Sequence, residues 1–546
     1  MNGDRVARTC VLSVLSVLAV LTATSASRAQ DEAIGGPVNV TVDVAKTVNF
    51  MAPRAMGIHT SVYDNAFHRG QWIPLLKKDG IYTLRYPGGG YSDAYHWSTA
   101  QMSAWKGTKD KGYVAPGADF GSFVKLVDKL GGTAIITVDY GANLQGTGPG
   151  EPAEAAAWVA YANGKPGDTR AIGKDSVGND WKTVGYWATM RASQPLVKDD
   201  GYNFLRIGHP AQVNIKYWEI GNEIFGNGYY AKDNGGYEND AHAAYSGIAK
   251  EDARTRAHNP KLSSKAYGEG VVAFSRAMKA VDPRIGIGAV LNTPPADDSW
   301  GRDWNSSVLK ACAPDIDFVI VHWYTGGLLP PDYKKLDAAS LLNAPFEELP
   351  QMVSELIDSF KQDAGGKQLQ LAVTELGSRP YAQVDNPVVE GLFAADSYAS
   401  LAEDGAVNID WLELHSNVFL EAKDDSPRAG YFGIQMVHKL MNLRDVFVKT
   451  TSSDHLLAAH AARRADGSLG LMLINKDPKN VATVRVKVSG PTVGAVGKRF
   501  QWGPENPPTQ YDVQETEASG LGNSFAVTVP AYSITVLNLP AGDGAH

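Results

Sequence analysis

The chain has 546 residues, 44% of them hydrophobic and 20% charged, enough to bury at least one large core and to carry two domains. A formal net charge of −8 argues against a nucleic-acid partner. The only cysteines are Cys10 and Cys312, so packing rather than a disulfide framework must hold the fold, and Cys312 in KACAPDIDF reads as a small buried residue.

Residues 1–29 read as a secretory signal cut after Ala29: Arg5 and Arg8 precede the apolar run CVLSVLSVLAVLTA, and the small-residue stretch TSASRAQ follows. The apolar run is too short to span a bilayer, and no later segment approaches the roughly 20 apolar residues a spanning helix needs. The expected product is secreted or periplasmic, without a membrane anchor. Residues 30–50 contain PVNVTVDVAKTVNF, whose strict alternation fits one or two strands of a sheet with one face buried.

Eight β-rich runs follow: AMGIHTS (55–61), IYTLRYPG (81–88), TAIITVDYG (133–141), KYWEIGNE (216–223), IGIGAVL (285–291), DFVIVHWY (317–324), LQLAVTELG (369–377) and DWLELHS (410–416). Segments such as FGSFVKLVDKLG and LPQMVSELIDSFKQDAG lie between them and repeat apolar residues at three- and four-residue spacing. Strand then helix, eight times over, predicts a (β/α)₈ TIM barrel across 51–445, with 142–215 as an elaborated connection that walls the site. From 446 to 546 the runs HLLAAHAARR, LGLMLINKD, VATVRVKVSG and SFAVTVPAYSITVLNLP predict a C-terminal β-sandwich, which the N-terminal strand joins.

A barrel's active site lies at the carboxyl ends of its strands. There the second strand offers Arg85 and PGGG, the third Asp139 and Asn143, and the fourth Asn222 and Glu223; the sixth offers His322, Trp323 and Tyr324, the seventh Glu375, and the eighth Trp411, Glu413 and His415. Glu223 and Glu375 each end a strand, and the fourth and seventh strands face each other across the mouth. Paired carboxyls across a cleft suit glycosidic cleavage, one giving a proton to the leaving oxygen and the other attacking the sugar carbon. Such a pair requires no metal and no cofactor.

RYPGGGYSDAYHW (85–97), VDYGANLQGTGPGEPAEAAAWVAYANG (138–164) and KYWEIGNE resemble the clan A glycoside hydrolases, and within them the α-L-arabinofuranosidases of glycoside hydrolase family 51. The resemblance implies that Glu223 is the acid/base, Glu375 the nucleophile and Asn222 a contact to the sugar 2-hydroxyl. The first strand, ending in GIHTS, departs from that family by lacking its usual glutamate, so His59, Thr60 or Ser61 would have to replace it. Arg85 either orients Glu375 or neutralises Glu219, which points into the barrel. Tyr324 is a candidate donor to Glu375; His322, His415 and Asn143 are candidates for sugar hydroxyls, and Trp97, Trp323 and Trp411 for stacking on a sugar face. The expected activity is retaining hydrolysis of plant-type carbohydrate, with an exo-acting α-L-arabinofuranosidase weighed against an endo-β-glucanase or hemicellulase, and against a carbohydrate-binding protein without activity.

Overall fold

Strict alternation in the first described segment produces a long strand, β1 (Val38–Phe50), which buries Val38, Val40, Val42 and Val44 and exposes Asn39 and Thr41. Eight further strands form the closed parallel barrel: β2 (Arg54–His59), β3 (Thr83–Tyr86), β6 (Thr133–Val138), β7 (Tyr217–Ile220), β8 (Gly286–Val290), β9 (Phe318–Tyr324), β10 (Gln370–Gly377) and β11 (Ala406–Trp411). The short β4 (Tyr95–His96) and β5 (Gln101–Met102) pair antiparallel outside it. The computed structural model describes residues 36–103, 112–226, 242, 260–294, 303–325, 337–378, 386–416, 418–503 and 512–542. The expected signal segment, 1–29, lies outside these residues. Among the described residues no helix is long and apolar enough to cross a membrane.

Barrel strands buried on both faces read as continuous apolar runs, and FVIVHWY of β9 is buried at every position. The surrounding helices carry their own stop and start signals: Phe120–Leu130 is capped by the Asp119 carboxylate, which accepts from the Ser122 amide at 2.9 Å. The eighth strand departs from expectation. It runs over 406–411 rather than 410–416, because Asn408 and Asp410 point into the barrel and break its apolar pattern. Gly57 on β2 makes room for them, since a Cβ there would stand 1.8 Å from Asp410 Oδ1.

The C-terminal strands are β12 (Val446–Ser452), β13 (Leu457–Arg463), β14 (Leu469–Asn475), β15 (Ala482–Ser489), β16 (Val496–Trp502), β17 (Gln514–Ser519), β18 (Ser524–Val529) and β19 (Ser533–Leu539). With β1 they form one continuous nine-stranded order, β17-β16-β19-β14-β13-β12-β1-β15-β18. Side chains from both halves, among them Val40, Val486, Leu471 and Leu537, meet in one apolar cluster, so the two layers expected of a sandwich are parts of a single folded-over ladder. β1 occupies its seam, antiparallel to β12 and parallel to β15. The other face packs on the barrel: Trp502 stacks on Phe432 of the helix Ala429–Leu440 with ring centroids 6.1 Å apart.

Candidate active site

Arg85 sits at the end of β3, fully buried, and its guanidinium fixes the centre of the barrel mouth. Nε donates to Glu219 Oε2 at 3.0 Å, Nη1 to Glu375 Oε1 at 2.7 Å, and Nη2 to Asn222 Oδ1 at 2.9 Å. Nη1 also lies 2.9 Å from His59 Nδ1. Burial and the adjacent guanidinium push His59 down to about 3, so the imidazole is neutral and Nδ1 accepts. The two roles weighed for Arg85, orienting Glu375 and neutralising Glu219, are therefore met by one side chain. Both pairs are buried, where an uncompensated charge would be costly.

Glu375 ends β10 with each oxygen engaged, Oε1 by Arg85 and Oε2 by the Tyr324 hydroxyl at 2.6 Å. Burial alone would raise its pKa. The electrostatic interactions with His322 and with the Arg85 guanidinium, together with the Tyr324 hydrogen bond, outweigh burial and hold the carboxyl well below the usual range.

Glu223 follows β7 in the left-handed region, at φ 41°, a conformation uncommon for a residue with a side chain and frequent at functional sites. Its Oε1 is 2.7 Å from His322 Nδ1, and that same nitrogen is 3.5 Å from Glu375 Oε2. The imidazole thus stands between the two carboxylates, with Nε2 turned to Thr374 Oγ1 at 3.2 Å. One oxygen of Glu223 and one of Glu375 lie within 4.8 Å of each other. Among the described residues, Glu223, His322 and Glu375 are the group whose ligand atoms could converge on a metal ion. The Arg85 guanidinium against Glu375 already supplies a cation there.

The Asn222 backbone amide donates to Asp93 Oδ2 at 2.9 Å, tying the turn after β7 to the segment after β3. Asp93 lies within RYPGGGYSDAYHW yet gave no sign of this role, because it works through a backbone amide. At the end of β2, Thr60 donates to the Arg85 carbonyl at 2.6 Å and Ser61 to Glu413 Oε2 at 2.8 Å. His59, Thr60 and Ser61 are thus committed to protein partners, and a carboxylate reaches this side of the rim from the segment after β11.

Several expected sugar contacts are placed elsewhere. Trp97 is fully buried and stacks on Trp158, ring centroids 5.8 Å apart, because the 142–215 connection folds its aromatic residues into a core around it. Trp411 points outward from β11 onto Phe393, since alternation sends its neighbour Asp410 inward. Trp323 stacks on the same Phe393. Asn143 closes its own turn, accepting from the Thr147 amide at 3.0 Å. His415 is held between Asp64 at 2.5 Å and Asp425 at 2.9 Å, beside the carboxylate pair rather than in it.

No family model matches the chain. Over 411 residues it is 25% identical to a probable α-L-arabinofuranosidase C of Aspergillus clavatus, covering 71% of this chain and 64% of that protein. An α-L-arabinofuranosidase C of Emericella nidulans is 24% identical over 416 residues, again 71% of this chain and 64% of that protein. The matches therefore span less than two thirds of these relatives' length. Among solved structures, a thermostable GH51 α-L-arabinofuranosidase from Thermotoga petrophila superposes with a TM-score of 0.65 at 18% identity, covering 92% of this chain and 99% of that one. The fold is that of the family 51 α-L-arabinofuranosidases. A Paenibacillus polymyxa xyloglucanase of glycoside hydrolase family 44 shares the architecture, with a TM-score of 0.61 at 16% identity over 92% of this chain and 99% of that one. The α-L-arabinofuranosidase likeness read from residues 85–97, 138–164 and 216–223 thus recurs in the names of the sequence relatives, and family 51 in those of the structural neighbours.

Proposed function

We propose that the protein is a retaining glycoside hydrolase, an α-L-arabinofuranosidase acting on plant-type carbohydrate, secreted or periplasmic by virtue of residues 1–29. The observation that carries this reading is the carboxylate pair, with oxygens within 4.8 Å and Glu375 held ionised. Retaining enzymes keep their carboxyls about 5–5.5 Å apart, whereas inverting enzymes need about 6.5–9.5 Å to admit a water. The matched relatives, named as arabinofuranosidases, support the choice of sugar.

In the first step Glu375 forms a bond to the anomeric carbon as the glycosidic C–O bond breaks, and Glu223 passes its proton to the departing oxygen. A water then adds to the same carbon from the vacated side, giving its proton to Glu223 and releasing Glu375 from the ester. Arg85 and Tyr324 aim the attacking oxygens and hold the carboxylate charged until it reacts.

Time-resolved NMR of an aryl α-L-arabinofuranoside tests the reading. The first-formed sugar should keep the anomeric configuration, and appearance of the opposite anomer would overturn it. In Glu223→Ala, azide should restore turnover with retained configuration, since azide needs no base; the same rescue in Glu375→Ala would reverse the roles.

An exo mode needs a closed pocket around a single furanose. The relatives' names favour the exo mode, and digestion of arabinan should then release single arabinose units from the start with little loss of viscosity.

A further inference from the structure

The turn that carries Glu223 leaves ordinary backbone at both ends of a three-residue stretch: Gly221 has φ 75° and Glu223 φ 41°. A residue with a side chain stays in the left-handed region only where its surroundings over-determine it. Here they centre on Asp93, which is fully buried. Its Oδ2 accepts from the amide of Asn222, the residue between the two left-handed ones, at 2.9 Å, and its Oδ1 accepts from the Tyr140 amide at 3.3 Å. Asp93 ends the short turn Gly90–Asp93 after β3, Tyr140 follows β6 and Asn222 follows β7, and these three strands are consecutive neighbours in the barrel. One carboxylate therefore staples the carboxyl ends of all three. The floor beneath is fixed as well, because the Tyr267 hydroxyl donates to the Ile220 carbonyl at 2.7 Å and accepts from the Val290 amide at 2.8 Å, holding β7 to β8.

Asn222 is gripped in two places: Arg85 holds its side chain at 2.9 Å and Asp93 its backbone. Amide-to-carboxylate hydrogen bonds are charge-assisted and about twice as strong as neutral ones. Resting on the assignment of Glu223 above, we propose that Asp93 is the positioning residue of the proton donor. By binding the Asn222 amide it holds the next residue left-handed, which sets the Glu223 carboxyl 2.7 Å from His322 Nδ1 and beside the leaving oxygen. Without that tie the turn relaxes toward ordinary backbone and Glu223 swings from the proton's path. Glu375, held by Arg85 and Tyr324, stays where it is. The deficit then falls on the steps that move a proton and spares those that do not.

The test compares kcat/KM, which reports cleavage of the glycosidic bond, for phenyl and 2,4-dinitrophenyl α-L-arabinofuranosides. Phenolate needs the proton to leave, and dinitrophenolate does not. Asp93→Ala should lose about 100-fold on the phenyl glycoside, the cost of a misplacement by about 1 Å, and less than about threefold on the dinitrophenyl one. Azide should raise its turnover of the dinitrophenyl glycoside, because azide attacks the intermediate without a base. Asp93→Asn keeps the shape and one acceptor oxygen, so its loss on the phenyl glycoside should be smaller. Equal losses on the two glycosides, or none on the phenyl one, overturn the proposal. If Asp93→Ala does not fold, Asp93→Asn carries the same comparison with the same outcomes. If the wild type cleaves neither glycoside, the functional reading fails, and deuterium exchange read by mass spectrometry on the peptide 218–226 decides separately whether Asp93 holds the turn. Faster exchange there in Asp93→Asn, with the other barrel strands unchanged, supports the tie; an unchanged rate overturns it.

Discussion

The Arg85 guanidinium touches side chains from the ends of β2, β7 and β10, so the position of Glu375 depends on a charge that itself depends on Glu219. Tyr324 adds the second hydrogen bond, and its loss can be read without dismantling that network. In Tyr324→Phe the Glu375 carboxylate loses a donor that lowers its pKa, so the pKa rises. Because the nucleophile works ionised, the acid limb of kcat/KM against pH should move upward by about one pH unit, the effect of one hydrogen bond to a charged group. An acid limb that stays in place would remove Tyr324 from the tuning. Glu223 and Glu375 were legible in the sequence because each interrupts an apolar run where a strand ends. The tryptophans were not: a one-residue change of parity decides whether Trp411 faces the mouth or the helix Val388–Glu403, and buried Asn408 and Asp410 concealed that parity. Burial and the nearby Glu219 push the Asp410 carboxyl well above the ordinary carboxylate range, and no hydrophobic pattern reveals such a polar group inside the barrel.

Among the connecting elements, the PGGG turn after β3 does more than reverse the chain. Gly88 adopts φ 131°, open to glycine alone, and Gly89 lies flat against the nucleophile. Gly89→Ala requires Glu375 to yield by a few tenths of an ångström. Kcat should fall about tenfold with little change in melting temperature, given that misplacement by about 1 Å can cost on the order of 100-fold. Full activity would show that the carboxylate has slack. The turn itself was readable from composition, but its packing against Glu375 was not, since it brings together positions far apart in the chain. The same holds for the 142–215 connection, whose aromatic residues were visible in the sequence while their inward packing around Trp97 was not.

At the scale of the whole molecule, the barrel and the β-ladder are joined by a buried ionic cluster as well as by apolar contact. Asp396, on the helix Val388–Glu403, meets Lys476 at 2.6 Å and His460 of β13 at 2.9 Å, and His460 also meets Glu403 at 3.2 Å. Burial opposes the charge on His460, but Glu403 and Asp396 outweigh it and hold the ring at about 10. That contribution to stability is complete below the unfolded value of about 6.5 and is lost as pH rises through about 10. The stability deficit of His460→Ala should therefore be largest near pH 6 and should narrow toward pH 10 in denaturant titrations. Lys476→Met, which leaves Asp396 short of a buried partner, should cost about 3 kcal/mol at pH 7. A neutral outcome would mean that His460 alone suffices.

Barrel and sheet were both foreseeable from the periods of their apolar residues, whereas the single folded-over ladder was not, because strand neighbours are chosen by packing across the core. β1 has a further consequence, one of timing. It leaves the ribosome before the barrel does, yet β12 and β15, between which it fits, are made only after the barrel has been synthesised. At about 5–20 residues per second, it waits on the order of 20–80 s with its valines unpaired. The nascent chain thus carries an open strand until β12 to β15 emerge, and completing the sheet joins the segments on either side of the barrel.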